Sequence, residues 1–173
     1  MTTQLTPHLN DVNLPAVGGL ARAVREDATK AATVWQASVQ WTGGFRSEAR
    51  IRDFDPVPSD EPLGLGGTDS APNPVEQLLA ALGNCLAVGY AANASAAGIE
   101  INDLRIDLEG DLDLHTFLGL RPGHAGYARL KVNVHVDADA TGEQLNDLHE
   151  KVVSTSPVGH TLGAAIPLQI RLA

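Results

Sequence analysis

The period at which apolar residues recur changes several times along this chain, and each change marks an element. Before residue 15 the sequence is polar and broken by Pro7 and Pro15, which predicts a loose arm. Val17, Leu20, Ala21 and Val24 then fall at helical spacing and predict a helix from Ala16 to Lys30, weakened by Gly18 and Gly19. From residue 33 the period drops to two. Thr33, Trp35, Ala37, Val39 and Trp41 share one face, Thr42-Gly43-Gly44 supplies a turn, and Phe45, Ala49 and Ile51 share a face of the next segment. That pattern predicts a β-hairpin. Asp55 to Pro74 carries proline and glycine too densely for either regular structure and reads as a long loop, a kind that is usually functional or mobile in a compact domain.

A helix is expected from Val75 to Ala97, with Pro74 at its first turn and Gly98 just past its end. Its middle, Leu78 to Gly89, is apolar nearly all round, which predicts burial on most sides and close approach of other backbones at its Gly and Ala positions. Leu104, Ile106, Leu108, Leu112 and Leu114, then Leu130, Val132, Val134 and Val136, alternate with charged residues and predict antiparallel strands with one wet face. A Gly-rich connection from Leu118 to Gly126 joins them. Thr141 with Gln144 is a capping box that opens a helix with Leu145, Leu148 and Val152 inward, and Pro157 ends it. Ile166, Leu168, Ile170 and Leu172 predict a last strand. The expected organisation is an arm and short helix over residues 1–30, followed by a single α+β domain over residues 31–173.

Composition narrows the function classes. A chain of 173 residues suits one domain, and its single cysteine excludes an intrachain disulfide, which points to a reducing compartment. Met1 to His8 lacks the basic and apolar regions of a signal peptide, and no stretch approaches about 18 uninterrupted apolar residues. A cytoplasmic protein away from membranes is therefore expected. The formal net charge of −9 opposes binding to nucleic acid and to anionic lipid. The six histidines, at 8, 115, 124, 135, 149 and 160, show no metal-ligand spacing, and Gly64-Leu65-Gly66-Gly67 lacks a nucleotide-binding context, so neither metal nor cofactor is expected. Ser156 has no nucleophile-elbow neighbours.

Cys85 is the only possible thiol nucleophile. A lone cysteine in an apolar helix is most often a small core residue. About ten residues into its helix, Cys85 lies beyond the reach of the N-terminal dipole, so activation would need a nearby cation. Arg46, Arg50 and Arg52 on the hairpin are the available suppliers, although arginines at such positions are usually solvated. Glu76 stands nine residues before Cys85, on the opposite side of the same helix, where it either favours the helix start or anchors an arginine.

Gly66-Gly67, the run Asn73-Pro74-Val75-Glu76-Gln77-Leu78-Leu79-Ala80-Ala81-Leu82-Gly83-Asn84-Cys85-Leu86, the Gly98-Ile99 stop and the Asp-rich strand together resemble the osmotically inducible protein C (OsmC) and organic hydroperoxide resistance (Ohr) family. The similarity covers roughly residues 33 to 172. It implies antiparallel sheets wrapped around central helices in an intertwined homodimer. It also implies a peroxiredoxin-type antioxidant activity in oxidative stress, in which a cysteine thiolate reduces organic hydroperoxides. A second cysteine then forms a disulfide that dithiols reduce, while an arginine and a glutamate orient the peroxide.

By this resemblance Cys85 matches the peroxidatic cysteine and Arg46 the arginine. Glu76 departs from the pattern by one position, because Val75 directly follows Asn73-Pro74. The second cysteine is replaced: the family's Cys-Pro-Val stands here as Ser156-Pro157-Val158. Two readings follow. One is a one-cysteine hydroperoxide reductase resolved by an external thiol or dithiol. The other is a non-catalytic dimer that binds a small apolar ligand or senses redox state through Cys85.

Overall fold

The computed structural model describes residues 8–164 and 166–172. It is a mixed α+β structure in which the chain forms two compact units. One unit is Pro15–Leu78, and the other combines the residues up to Leu14 with those from Leu79 onward.

The first unit contains the helix α1 (Leu14–Glu26) and a three-stranded antiparallel sheet of β1 (Ser38–Gly43), β2 (Arg46–Arg50) and β3 (Val57–Ser59), in that spatial order. The helix ends four residues before the expected Lys30, and a 3₁₀ turn at Ala28–Ala31 follows it. The hairpin is present, with Val39 opposite Ala49 and Gln40 opposite Glu48, but its first strand starts at Ser38 rather than at residue 33. β3 corrects the reading of residues 55–74 as structureless. It pairs with β2 at Ala49–Val57 and Ser47–Ser59, and it can hold Pro58 because it lies at the sheet edge, where a missing N–H costs no ladder bond.

The rest of this loop is organised by one carboxylate. Asp60, 1% exposed, accepts from the Glu61, Thr68 and Ser70 backbone N–H groups and from the Thr68 and Ser70 hydroxyls. Those bonds, the Thr68 hydroxyl first, hold its carboxyl well below the usual carboxylate range. Gly67 closes the turn against the Glu61 carbonyl, where a Cβ would lie 1.8 Å from the oxygen.

The helix α2 (Pro74–Ala97) has the expected ends. Asn73 Oδ1 accepts from the Glu76 N–H at 2.9 Å, and Glu76 Oε2 accepts from the Asn73 N–H at 2.8 Å, a capping box built on asparagine. At the other end Gly98 adopts φ +73°, and the Gly98 and Ile99 N–H groups donate to the Ser95 and Ala94 carbonyls. That Schellman pattern satisfies the last turn.

In the second unit β4 (Ile101–Leu112) pairs antiparallel with β5 (Tyr127–Ala138), Leu108 opposite Val132 and Ile106 opposite Val134. A one-turn helix α3 (Leu114–Phe117) interrupts the connection between them. Both strands alternate between half-buried and exposed residues from Leu104 and Leu130 onward, after a pair of exposed residues near each start. On the wet face Lys131 meets Glu109 at 3.0 Å and Arg129 meets Asp111 at 2.7 Å across the pair. The helix α4 (Gly142–Thr155) starts with the Thr141–Gln144 capping box and buries Leu148 and Val152. Pro157 ends α4 as expected but also begins a further helix, α5 (Pro157–Gly163), at its first position.

The core consists of Leu82, Leu86, Tyr90 and Ala94 on one face of α2, with Ile99, Leu148 and Val152. These α2 positions recur every four residues, and Gly89 admits Val152 so closely that an added Cβ would lie 2.9 Å from its Cγ1. Two expectations fail here. α2 is buried along one face rather than on most sides, with Val88 70% exposed. The alternation at Ile166, Leu168, Ile170 and Leu172 belongs to no strand among the described residues, and all four side chains are exposed. The described part of the arm, from His8, also departs from its reading as loose: Asn10, at φ +52°, donates to the Ser95 hydroxyl and the Ile99 carbonyl and accepts from the Ile101 N–H.

Candidate functional site

Cys85 lies one position before Leu86 on α2, so its side chain turns about 100° away from the Leu82–Leu86–Tyr90 face and remains partly exposed. Its sulfur stands 3.3 Å from the Ser156 hydroxyl. The residues are 71 apart in sequence and meet because α4 runs back along α2 and stops at Ser156.

Ser156 is held in place by local geometry. It is 5% exposed and is the residue at which α4 gives way to α5, with its hydroxyl accepting from the Gly159 N–H at 3.1 Å. With one lone pair engaged there, the hydroxyl can donate its proton to the sulfur or accept from the thiol with its other lone pair. The spacing from sulfur to oxygen is a hydrogen-bond contact, and a serine at this place forms no disulfide.

The other sequence candidates fall in the Pro15–Leu78 unit. Glu76 is committed to the α2 cap. Arg50 pairs with Glu48 at 3.8 Å, and the Arg52 guanidinium lies 4.6 Å from the centre of the Phe54 ring. Arg46, at the start of β2, is exposed and has no ion pair among the described residues.

Sequence reasoning missed a second polar group close to Ser156. The Tyr90 hydroxyl and His149 Nδ1 are 2.5 Å apart, and burial pushes the phenol pKa up. Both residues line a cavity of about 400 Å³, which Ser156 also lines and Cys85 does not. Fifty-nine residues separate the pair, and no motif links a tyrosine in an apolar helix to a distant histidine. Among the described residues no group of three His, Cys, Asp or Glu side chains is arranged to hold a metal.

A family model described as OsmC-like protein matches residues 67–171. No curated protein matches the sequence. Among solved structures, the chain is similar to an OsmC-like protein from Mycoplasma pneumoniae, with TM-score 0.65 and 18% identity over 76% of this chain and 88% of that one. It is similar to an organic hydroperoxide resistance protein OsmC from Legionella pneumophila, with TM-score 0.56 and 19% identity over 76% and 91%. A third likeness is to an organic hydroperoxide resistance protein from Elizabethkingia anophelis, with TM-score 0.54 and 21% identity over 74% and 88%.

Proposed function

This chain belongs to the OsmC-like family, and from that premise we propose that it reduces organic hydroperoxides through Cys85, with an external thiol completing the cycle. The observation that carries the reading is the Cys85–Ser156 contact. A partly exposed thiol faces the one residue that stands where the family resemblance expects the second sulfur.

The chemistry balances without a second protein cysteine. The Cys85 thiolate attacks the terminal oxygen of the peroxide, the O–O bond breaks, and an S–O bond forms. The alkoxide leaves and takes up a proton as the alcohol, so the peroxide gains two electrons and the sulfur becomes a sulfenic acid. An external thiol then attacks that sulfur and releases water, leaving a mixed disulfide. A second thiol attacks the external sulfur, restoring Cys85 and leaving as the external disulfide. A dithiol supplies both thiols in one molecule. Arg46 is the cation this reading assigns to the peroxide, supported by the family match and by its freedom from ion pairs among the described residues.

The same reading makes the working unit a homodimer. Support comes from the apolar side chains that a single chain leaves open, including Val39, Phe45 and Val88, each more than half exposed.

The test treats the reduced protein with cumene hydroperoxide or hydrogen peroxide and follows Cys85 by intact mass with dimedone trapping. Oxidation by the organic peroxide much faster than that of a free thiol, reversed by a dithiol, is expected. Oxidation no faster than a free thiol removes the reading. Arg46→Ala is expected to slow the oxidation at least tenfold, a loss of about 1.4 kcal/mol of transition-state stabilisation, with folding intact; an unchanged rate removes Arg46 from the mechanism.

A further inference from the structure

We infer that the cavity beside Ser156 binds an apolar molecule ending in a carboxylate, with the His149 imidazole as the anchor of that group. This site does not depend on thiol chemistry at Cys85, so it stands or falls separately from the proposed peroxide reduction.

The walls define the body of the ligand. Leu82 and Leu86 from α2, Val132 and Val134 from β5 and Val153 from α4 make them apolar, and the volume of about 400 Å³ is that of a small-molecule site. The polar groups define its end. No carboxylate lines the cavity, although the chain as a whole carries a formal charge of −9, and two imidazoles, His149 and His160, do. Complementarity therefore favours an anion over a cation in this cavity.

The hydrogen bonds say which imidazole is the anchor. His160 Nε2 donates to the Ser154 carbonyl at 3.0 Å, so its ring proton is already engaged. His149 differs. Tyr90 is 2% exposed, its phenol keeps its proton because burial raises the pKa, and His149 is its only hydrogen-bond partner among the described residues. With the ring neutral, the phenol therefore donates and Nδ1 accepts, and with the ring cationic Nδ1 donates to the phenol oxygen instead. That fixes the tautomer: Nε2 carries a proton whether the ring is neutral or cationic, and it is a donor in both states. A buried tyrosine thus holds a donor ready at the edge of an apolar cavity, before any ligand arrives.

Isothermal titration of the full chain with decanoate tests the assignment, with decanol as the uncharged counterpart and circular dichroism as the check on folding. Saturable binding of one decanoate per chain, with a Kd below about 1 mM, is expected. His149→Phe should weaken it at least tenfold, decanol should bind the parent protein at least tenfold more weakly, and Val134→Trp should abolish binding by filling the cavity. Should Val134→Trp fail to fold, Val153→Trp makes the same test from the more exposed wall, since Val153 is 51% exposed. Absence of saturation, decanol binding as tightly as decanoate, or equal affinity in His149→Phe would overturn the inference.

Discussion

The two units of this chain are ordered by different forces. From Leu79 onward, Leu82, Leu86, Tyr90, Ala94, Ile99, Leu148 and Val152 form an apolar core. Between Pro15 and Leu78 the only buried residues are Asp60 and Asn73, both polar, while Trp35, Val39, Trp41 and Phe45 are open to solvent. One unit has an apolar core of its own, even though Val88, Leu120 and Ile170 stay open to solvent. The other fixes its turns with a carboxylate and an asparagine cap and leaves its apolar side chains open to solvent. The lesson is that a well-formed hairpin is no sign of a local core, because strand pairing and polar anchors can define a backbone that leaves its apolar groups in solvent.

The largest expected effect strikes the unit with the core. Leu86→Ala should lower the free energy of unfolding by about 2–5 kcal/mol, read as a fall in the urea midpoint, because a buried side chain is replaced by a cavity. A loss under about 1 kcal/mol would mean that the apolar face of α2 is not what holds this unit. A smaller effect is expected at the hairpin. Val39→Asp places a charge on an exposed β1 position, and should weaken self-association at least tenfold in sedimentation while the circular dichroism spectrum stays unchanged. Equal association of variant and parent would show that the exposed hairpin residues are not covered by a second copy.

The smallest effect concerns the polar anchor and depends on pH. The carboxyl of Asp60 is held below its ordinary value, so its contribution to stability is complete above about pH 5. Below about pH 4 the unfolded chain takes up a proton that the folded carboxylate still refuses, and stability falls as the pH drops. Carboxyl-carbon NMR should therefore show Asp60 titrating below the other aspartates, and Asp60→Asn should flatten the acid limb of the urea midpoint. A titration midpoint close to 4 would sink this account.

Much of the second unit was legible in the sequence because its signals are local. Pro74 and Gly98 bracket α2, Thr141 and Gln144 announce α4, and the alternation in β4 and β5 needs only its own residues to be read. What escaped depends on partners distant in the chain. β3 exists because β2 offers it an edge, which outweighs the loop composition around Pro58. Residues 166–172 have the alternation of a strand but no ladder among the described residues, since a pattern defines two faces and says nothing of a pairing edge. Cys85 could be picked out as the only thiol, and its serine neighbour was found through the family resemblance. The Tyr90–His149 pair had no such guide.

The contacts of Asn10 set an order on how the molecule comes into being. Its partners Ser95, Ile99 and Ile101 lie 85, 89 and 91 residues further along. During synthesis Asn10 has none of these partners to hold until the chain has been made as far as Ser95 to Ile101. The closure of that long loop is then a late event, and its entropic cost is met only once the end of α2 and the start of β4 have taken shape. Asn10 is made well before the partners that fix it.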